Sequence, residues 1–155
     1  GRKFRSVNLG VVRLNGKIGG NPNMAESLKN IMVDSNESIA LLEALAENSF
    51  DSILVTEAQA EGKIVYANKA FETLTGYDPI SVIGENPRIL QGIGTDEKVI
   101  SRLSKALTSG GTFEGKAINY KKDGTPFIMH WRVIPIKTGE KIIAWVAIQR
   151  ESSSI

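Results

Sequence analysis

Three long segments near the carboxyl terminus alternate apolar and polar residues, and this alternation constrains the fold more than any other feature of the chain. Asp123-Gly124 separates the first two segments and Thr138-Gly139 separates the last two, and both pairs are typical of tight turns between antiparallel strands. Two shorter strand-like segments, joined by residues 58–62, predict another hairpin earlier in the chain. The five predicted strands are residues 51–57, 63–68, 112–122, 125–136 and 141–151.

Helical patterns occupy the chain between the second and third predicted strands. Short helices are predicted at residues 69–74 and 79–83, the latter opened by Asp78 as cap and Pro79 as first residue. A longer helix is predicted from residue 95 or 96 to the glycine pair at 110–111. Its apolar side carries Val99, Ile100, Leu103 and Leu107. This order of elements predicts an α+β fold, in which helices cross one face of a five-stranded antiparallel sheet.

The composition excludes several classes of function. The chain has 155 residues, 41% of them hydrophobic, which suits one domain with a real core. It contains no cysteine and one histidine, His130 in a predicted strand, so disulfides, thiol nucleophiles and most metal sites are excluded. No nucleophile–base pair or carboxylate cluster is evident, and no apolar run is long enough to span a bilayer. We therefore predict a cytoplasmic protein that is not an enzyme and has no membrane partner.

The first 23 residues differ in composition from the rest of the chain. They carry five basic residues and no acidic one, so the remainder of this chain of net charge +2 carries −3. A basic tail suits nucleic acid, but this one is rich in glycine and asparagine and has one aromatic residue. We interpret residues 1–23 as a basic tail, either native or added for expression, with Met24 as a natural start, and we predict no nucleic-acid partner.

Residues 24–49 form the next predicted region, an amphipathic helical segment. Apolar residues recur there at spacings of three and four, and the capping residues Asp34-Ser35-Asn36 interrupt the pattern. The sequence therefore predicts two helices, or one helix with a weak joint. Such a segment can cover one face of the domain or act as a dimerisation or signal-coupling helix, and the pattern favours neither.

Residues 84–92 combine two glycines with a capped helical turn and several polar side chains. Asn86 is a good N-cap and Pro87 suits the first helical position, so a short helix is predicted to start there. Arg88 and Gln91 are three residues apart on one face, where a guanidinium and an amide can meet the same ligand, and Arg88 suits a phosphate. The alternative is an ordinary capped turn with a surface arginine.

The predicted inward rows of the last three strands contain two amides, Asn119 and Gln149. Buried amides need partners, so these two bond each other or the backbone, or they bond the polar edge of a ligand. The inward rows are Phe113, Ala117 and Asn119; Phe127, Met129, Trp131 and Val133; and Ile143, Trp145, Ala147 and Gln149. The opposite face is also apolar, and we expect the helix before residue 49 or another subunit to cover it. Its residues are Ile118, Tyr120, Ile128, Ile134, Ile142, Val146 and Ile148.

Several separated motifs, in this order, resemble a PAS domain of the flavin-binding LOV branch. They are residues 71–77, Phe-Glu-x-Leu-Thr-Gly-Tyr; residues 84–92, Gly-x-Asn-x-Arg-x-Leu-Gln-Gly; Thr95-Asp96; residues 119–127, Asn-Tyr-x-Lys-Asp-Gly-x-x-Phe; and Gln149. The resemblance covers about residues 50–151 and implies a PAS sensor domain. In that family, the residues matching Asn86, Arg88, Gln91, Asn119 and Gln149 surround a flavin.

The resemblance also implies individual roles. The residue matching Arg88 holds the flavin phosphate, and those matching Asn119 and Gln149 bond the edge of the isoalloxazine ring. Gln149 stands for the glutamine that turns when the flavin changes state. The implied cofactor is FMN or FAD, bound non-covalently.

Three positions depart from the LOV pattern. Pro87 stands where LOV photoreceptors place the cysteine that bonds the flavin in light, which makes their adduct impossible here. Met129 stands where a second flavin-binding asparagine is usual, and Ser104 where a second phosphate arginine is usual. Lys105 or Arg102 could replace the missing phosphate charge, and FAD could gain affinity from its adenosine half.

The function that this resemblance implies is a sensory module that signals the redox or photoreduction state of a flavin through the sheet to a dimerising N-terminal helix. Without cysteine, light acts only through electron transfer, with Tyr66, Tyr120, Trp131 and Trp145 as conceivable donors or as packing residues. The expected partners are a second copy of the chain and a signalling effector domain, in cis or in trans, and residues 152–155 are predicted to begin a linker. The alternative is a ligand-free PAS interaction or dimerisation module of a bacterial signalling protein.

Overall fold

The computed structural model describes residues 34–155. The predicted basic tail and the predicted helix over residues 24–33 lie outside the described residues. Helix α1, Ser35–Glu47, starts at the predicted interruption, where Asp34 Oδ1 accepts a hydrogen bond of 3.0 Å from Glu37 N. The capping residues therefore begin a helix.

Five antiparallel strands form one sheet, as predicted. The strands are β1, Ser52–Glu57; β2, Ile64–Ala67; β3, Phe113–Tyr120; β4, Pro126–Thr138; and β5, Lys141–Ser152. They lie in the order β2-β1-β5-β4-β3, so the last strand of the chain pairs with the first. This crossover places Ser52 of β1 directly opposite Gln149 of β5.

Three helical elements connect β2 to β3 on the inner face. They are α2, Lys69–Thr75; a 3₁₀ helix, Pro87–Leu90; and α3, Glu97–Ser109. The short helix predicted at residues 79–83 is wrong, because this segment forms consecutive turns. The chain must leave the helical path there to pair with Ile64, whose carbonyl accepts from Gly84 N at 2.8 Å, and Gly84 makes that bend at a φ of +87°.

The core lies between the inner face of the sheet and the helices. The predicted inward residues of β3 and β4 are all buried, and Val99, Ile100 and Leu103 of α3 pack against them. One inward assignment on β5 is wrong, since Ile143 is 49% exposed. The register shifts after Ile136, so that Lys137 lies opposite Ile142 and Ile143 has no partner on β4. Ile142, predicted to face outward, therefore packs against the core.

The outer face of the sheet is apolar at its centre, as predicted, and α1 does not bury it. No residue of α1 is buried, and its apolar residues Ile39, Leu42 and Leu45 are 58%, 64% and 57% exposed. On the sheet, Val146 and Ile148 are half-buried and Ile134 is exposed. The described helix thus presents an uncovered apolar stripe, and residues 24–33 of the segment expected to cover the sheet lie outside the described residues.

Candidate functional site

A cavity of about 470 Å³ opens on the inner face of the sheet, bordered by α3, the 3₁₀ helix and the loop between β1 and β2. Residues far apart in the sequence meet here because β5 crosses back between β1 and β4. All six residues predicted to surround a ligand line this one cavity: Asn86, Arg88, Gln91, Asn119, Met129 and Gln149. Pro87 lines it as well.

The inner end of the cavity holds the two predicted amides, Asn119 and Gln149, which are 2% and 3% exposed. Ser52 Oγ donates a hydrogen bond of 3.0 Å to Gln149 Oε1, and Asn119 Nδ2 lies 3.5 Å from the Ala117 carbonyl, at the limit of a hydrogen bond. In residues 34–155, every fully buried side-chain nitrogen or oxygen has a partner. The remaining amide groups of Asn119 and Gln149 are therefore accessible from the cavity.

The walls beside these amides are apolar and aromatic. Trp131 and Trp145 both line the cavity, and the Trp131 ring packs on Phe113 at a centroid distance of 5.0 Å. The other two conceivable electron donors do not line it: the Tyr66 hydroxyl bonds Glu47, and the Tyr120 hydroxyl accepts from Gly94 N. A flat aromatic ligand with one polar edge matches this combination of walls and amides. The apolar lining includes Leu90, Ile100, Leu103, Leu107, Met129, Trp131, Val133, Trp145 and Ala147.

The 3₁₀ helix forms one side of the outer rim, and Asn86 fixes its position. Asn86 Oδ1 accepts from Arg88 N at 2.9 Å, and its Nδ2 donates to the Glu61 carbonyl at 2.7 Å. This confirms the predicted N-cap and ties the helix to the loop between β1 and β2. Arg88 and Gln91 line the same cavity, as their spacing predicts.

Helix α3 and the β1–β2 loop form the opposite side of the rim. The residues of α3 that line the cavity differ from those expected from the sequence. Ser104 and Thr108 line the cavity, whereas neither expected substitute cation does. Arg102 instead lies over the Phe113 ring at 5.4 Å. Lys105 does not line it either. Ser52 was missed, although a polar residue at an inward position of a strand, like Asn119, is a signal that could have identified it.

Two charged side chains line the cavity within the described residues, Glu57 and Arg88. Glu57 Oε1 accepts from Lys63 N at 3.2 Å. In the same loop, the Lys63 ammonium lies 2.8 Å from the Glu61 carboxylate, and this hydrogen bond and charge hold the pKa of Glu61 below its usual value and raise that of Lys63. The loop thus carries its own exposed ion pair beside the rim.

Comparisons with known proteins agree with this architecture. A family model described as a PAS domain matches residues 51–154. The solved LOV domain of a blue-light activated histidine kinase from Erythrobacter litoralis is 36% identical, with a TM-score of 0.63, and the match covers 65% of this chain and 94% of that one. This chain is a PAS domain of the LOV type. Another solved light-oxygen-voltage domain, studied with a flavin analogue, is 31% identical with a TM-score of 0.68, covering 74% of this chain and 85% of that one.

Among curated proteins, Phototropin-1A of Oryza sativa subsp. japonica is 35% identical over 135 residues, which are 86% of this chain and 14% of the phototropin. The chain thus spans 14% of this phototropin and 44% of a blue-light photoreceptor from Listeria monocytogenes serovar 1/2a. LOV domains are sensory modules rather than enzymes, even where the full-length relative is a kinase. Within residues 34–155 no helix is long and apolar enough to cross a membrane, and no group of three candidate metal ligands occurs.

Proposed function

We propose that this LOV-type domain binds a flavin, FMN or FAD, non-covalently in the cavity and signals its redox or photoreduction state. The observation that carries this proposal is the convergence of Asn86, Arg88, Gln91, Asn119, Met129 and Gln149 on one cavity whose inner end exposes amide groups between apolar walls. The isoalloxazine ring is flat and apolar on its faces, and it has a polar edge of acceptors and one donor. Such a ligand satisfies amides that the protein leaves accessible.

Each residue has a proposed role. Asn119 and Gln149 bond the polar edge of the ring, while Arg88 binds the phosphate and Gln91 the chain that leads to it. Met129 packs on the ring without a hydrogen bond, and one lost bond to a buried amide edge costs about 1–3 kcal/mol, or about ten- to a hundredfold in affinity. Pro87 occupies the position of the adduct-forming cysteine, and a chain without cysteine cannot form that adduct.

Signalling begins at Gln149 in this proposal. A bound flavin supplies the chemical change, because its N5 atom accepts a hydrogen bond when oxidised and donates one when reduced. The Gln149 amide can rotate in response, and rotation would replace the oxygen that now accepts from Ser52 with a nitrogen that donates. The Ser52 hydroxyl would then have to turn from donor to acceptor, and the change in the cavity would reach β1 as the reversal of one buried hydrogen bond.

A chain of hydrogen bonds supports a route from β1 to α1. The residues on either side of Ser52 bond the buried Asn68, whose Oδ1 accepts from Ile53 N at 2.8 Å and whose Nδ2 donates to the Asp51 carbonyl at 3.0 Å. The same Nδ2 donates at 2.8 Å to the carbonyl of Ala46 near the end of α1. A displacement of β1 would therefore alter the anchoring of α1.

The proposed output is a change in a homodimer that forms through α1 and the outer sheet face. The exposed apolar residues of both surfaces favour a second copy of the chain as their cover. An effector domain in cis or in trans would read the dimer geometry, and we expect no nucleic-acid or membrane partner and a cytoplasmic location.

An absorption spectrum from about 300 to 600 nm tests the proposal on protein purified in dim light, followed by heat release and chromatography of the bound compound. We expect a structured blue band and release of FMN or FAD. Gln149→Leu should shift the band or reduce the flavin content, whereas Glu140→Leu, at an exposed position of the β4–β5 turn that does not line the cavity, is the control and should change neither. Protein that remains colourless after incubation with both flavins would contradict flavin binding.

The second candidate function is a ligand-free PAS dimerisation module. It is favoured by the bond between Ser52 and Gln149, which already satisfies part of the inner end without a ligand. The two candidate functions differ in whether the protein has a blue absorption band and in whether its dimer stability responds to light or to a reductant. Only the sensor should show a light- or reductant-dependent change in dimer stability that Ser52→Ala weakens.

A further inference from the structure

The rim of the cavity carries almost no net charge. Its two charged side chains, Arg88 and Glu57, have opposite signs. Within the described residues the Arg88 guanidinium forms no ion pair, and Glu57 accepts one backbone hydrogen bond. An anionic ligand group at this rim therefore meets one cation and one carboxylate rather than a cationic cluster.

Uncharged polar groups fill the rest of the rim. Gln91 and Ser104 line the cavity, and their side chains form no hydrogen bond within residues 34–155, whereas Asn86 and Thr108 are already bonded to the Glu61 and Ser104 carbonyls. An amide and a hydroxyl can each donate to and accept from an alcohol. The rim thus suits the hydroxyl groups of a polyol chain at least as well as it suits a phosphate.

We infer that the cavity also accepts the phosphate-free flavin, riboflavin, with an affinity close to that for FMN. This inference rests on the proposed function. A phosphate monoester carries a charge of about −1.5 to −2 at pH 7, and one exposed ion pair contributes no more than about fivefold in affinity. Repulsion from Glu57 opposes this gain. Recognition of the ring by Asn119 and Gln149 is the same for both ligands.

Calorimetric titration of the whole chain, freed of any bound flavin, with riboflavin and with FMN tests the inference. We expect the two dissociation constants to agree within about tenfold, and the FMN value to change little as added salt screens the rim. FMN bound more than about a hundredfold tighter than riboflavin would overturn this inference while leaving the proposed function intact. Absence of binding by both flavins would overturn the proposed function itself.

A single added cation provides the second test. Ser104→Arg places a guanidinium on an exposed position of the rim, so the fold should be unaffected. FMN affinity should rise, by no more than about fivefold, and riboflavin affinity should not change. Ser104→Gln, which has length without charge, is the matched control and should favour neither ligand. An equal gain for both ligands, or no gain for FMN, would show that the rim does not bind the phosphate.

Discussion

The inner end and the rim of the cavity are both polar, yet the protein constructs them from different kinds of structure. Ser52, Asn119 and Gln149 at the inner end are 2%, 2% and 3% exposed, and the register of the sheet places them there. Arg88 and Ser104 at the rim are exposed, on a 3₁₀ helix and on α3. In the proposed function, recognition of the flavin ring is therefore bound up with the stability of the sheet. Recognition of the flavin tail could change without loss of stability.

Substitution of an aromatic wall residue at the inner end should give the largest effect. Trp131→Ala removes a side chain that is 4% exposed and packs on Phe113, and we expect a loss of about 3–5 kcal/mol in the free energy of unfolding. Leu107→Ala, at the partly exposed rim, is the control and should cost about 1 kcal/mol. Urea denaturation measures both. Equal losses would break the distinction between the two ends.

Removal of the amide that links the inner end to β1 should be next in size. Gln149→Leu leaves the Ser52 hydroxyl buried without its partner, so we expect a loss of about 1–3 kcal/mol in stability and about ten- to a hundredfold in flavin affinity. Gln91→Leu makes the same chemical change at the rim. We expect it to leave stability within about 0.5 kcal/mol of the parent protein. A larger loss at Gln91 would assign the rim a structural role.

Gly92 lies next to the rim, and its substitution should cost more stability than other substitutions at the rim. A Cβ atom there would lie 2.4 Å from Tyr120 Cε2, so Gly92→Ala must displace the tyrosine ring. We expect a cost of about 1–2 kcal/mol, near the low end for overpacking, because the position is exposed. In a double-mutant cycle with Tyr120→Leu, most of that cost should disappear. Persistence of the full cost in the double variant would trace it to the backbone instead.

The smallest effect should come from the ion pair of Glu61 and Lys63 beside the rim. Because Lys63 lowers the pKa of Glu61 in the folded state, the pair stabilises the fold above pH 4.5, the ordinary value, and this contribution is lost as the pH falls through the lowered pKa. The difference in unfolding free energy between the parent protein and Glu61→Gln should therefore shrink toward zero at pH values below the lowered pKa of Glu61. Denaturation at a series of pH values from about 3 to 7 measures it. If the difference in unfolding free energy instead grows as the pH falls, the predicted stabilising role of the ion pair is contradicted.

Much of the fold could be predicted because its signals are local. Turn pairs such as Asp123-Gly124 and the alternation of the last three strands specify hairpins over a few residues. The Asn86 cap and the shared face of Arg88 and Gln91 depend on one helical turn, and the structure contains both. Their assignment to flavin binding stays a prediction until a ligand is measured.

The errors arose where distant parts of the chain decide the outcome. The shift after Ile136 reverses the sides of Ile142 and Ile143, and no local pattern shows where two strands lose register. Pairing with Ile64 prevents a helix at residues 79–83 although its cap and proline favour one. Ser52 escaped notice because its partner, Gln149, is 97 residues away in the sequence.

The buried amide of Asn68 is a point where a change in a single atom would break several hydrogen bonds. Its amide oxygen accepts from Ile53 N and Phe71 N, and its nitrogen donates to the Ala46 and Asp51 carbonyls. Deamidation, the commonest spontaneous ageing reaction of asparagine, would replace that nitrogen with an oxygen facing two other oxygens. A change of one mass unit would thus remove the hydrogen bonds that hold the end of α1 and the start of β1 to this side chain.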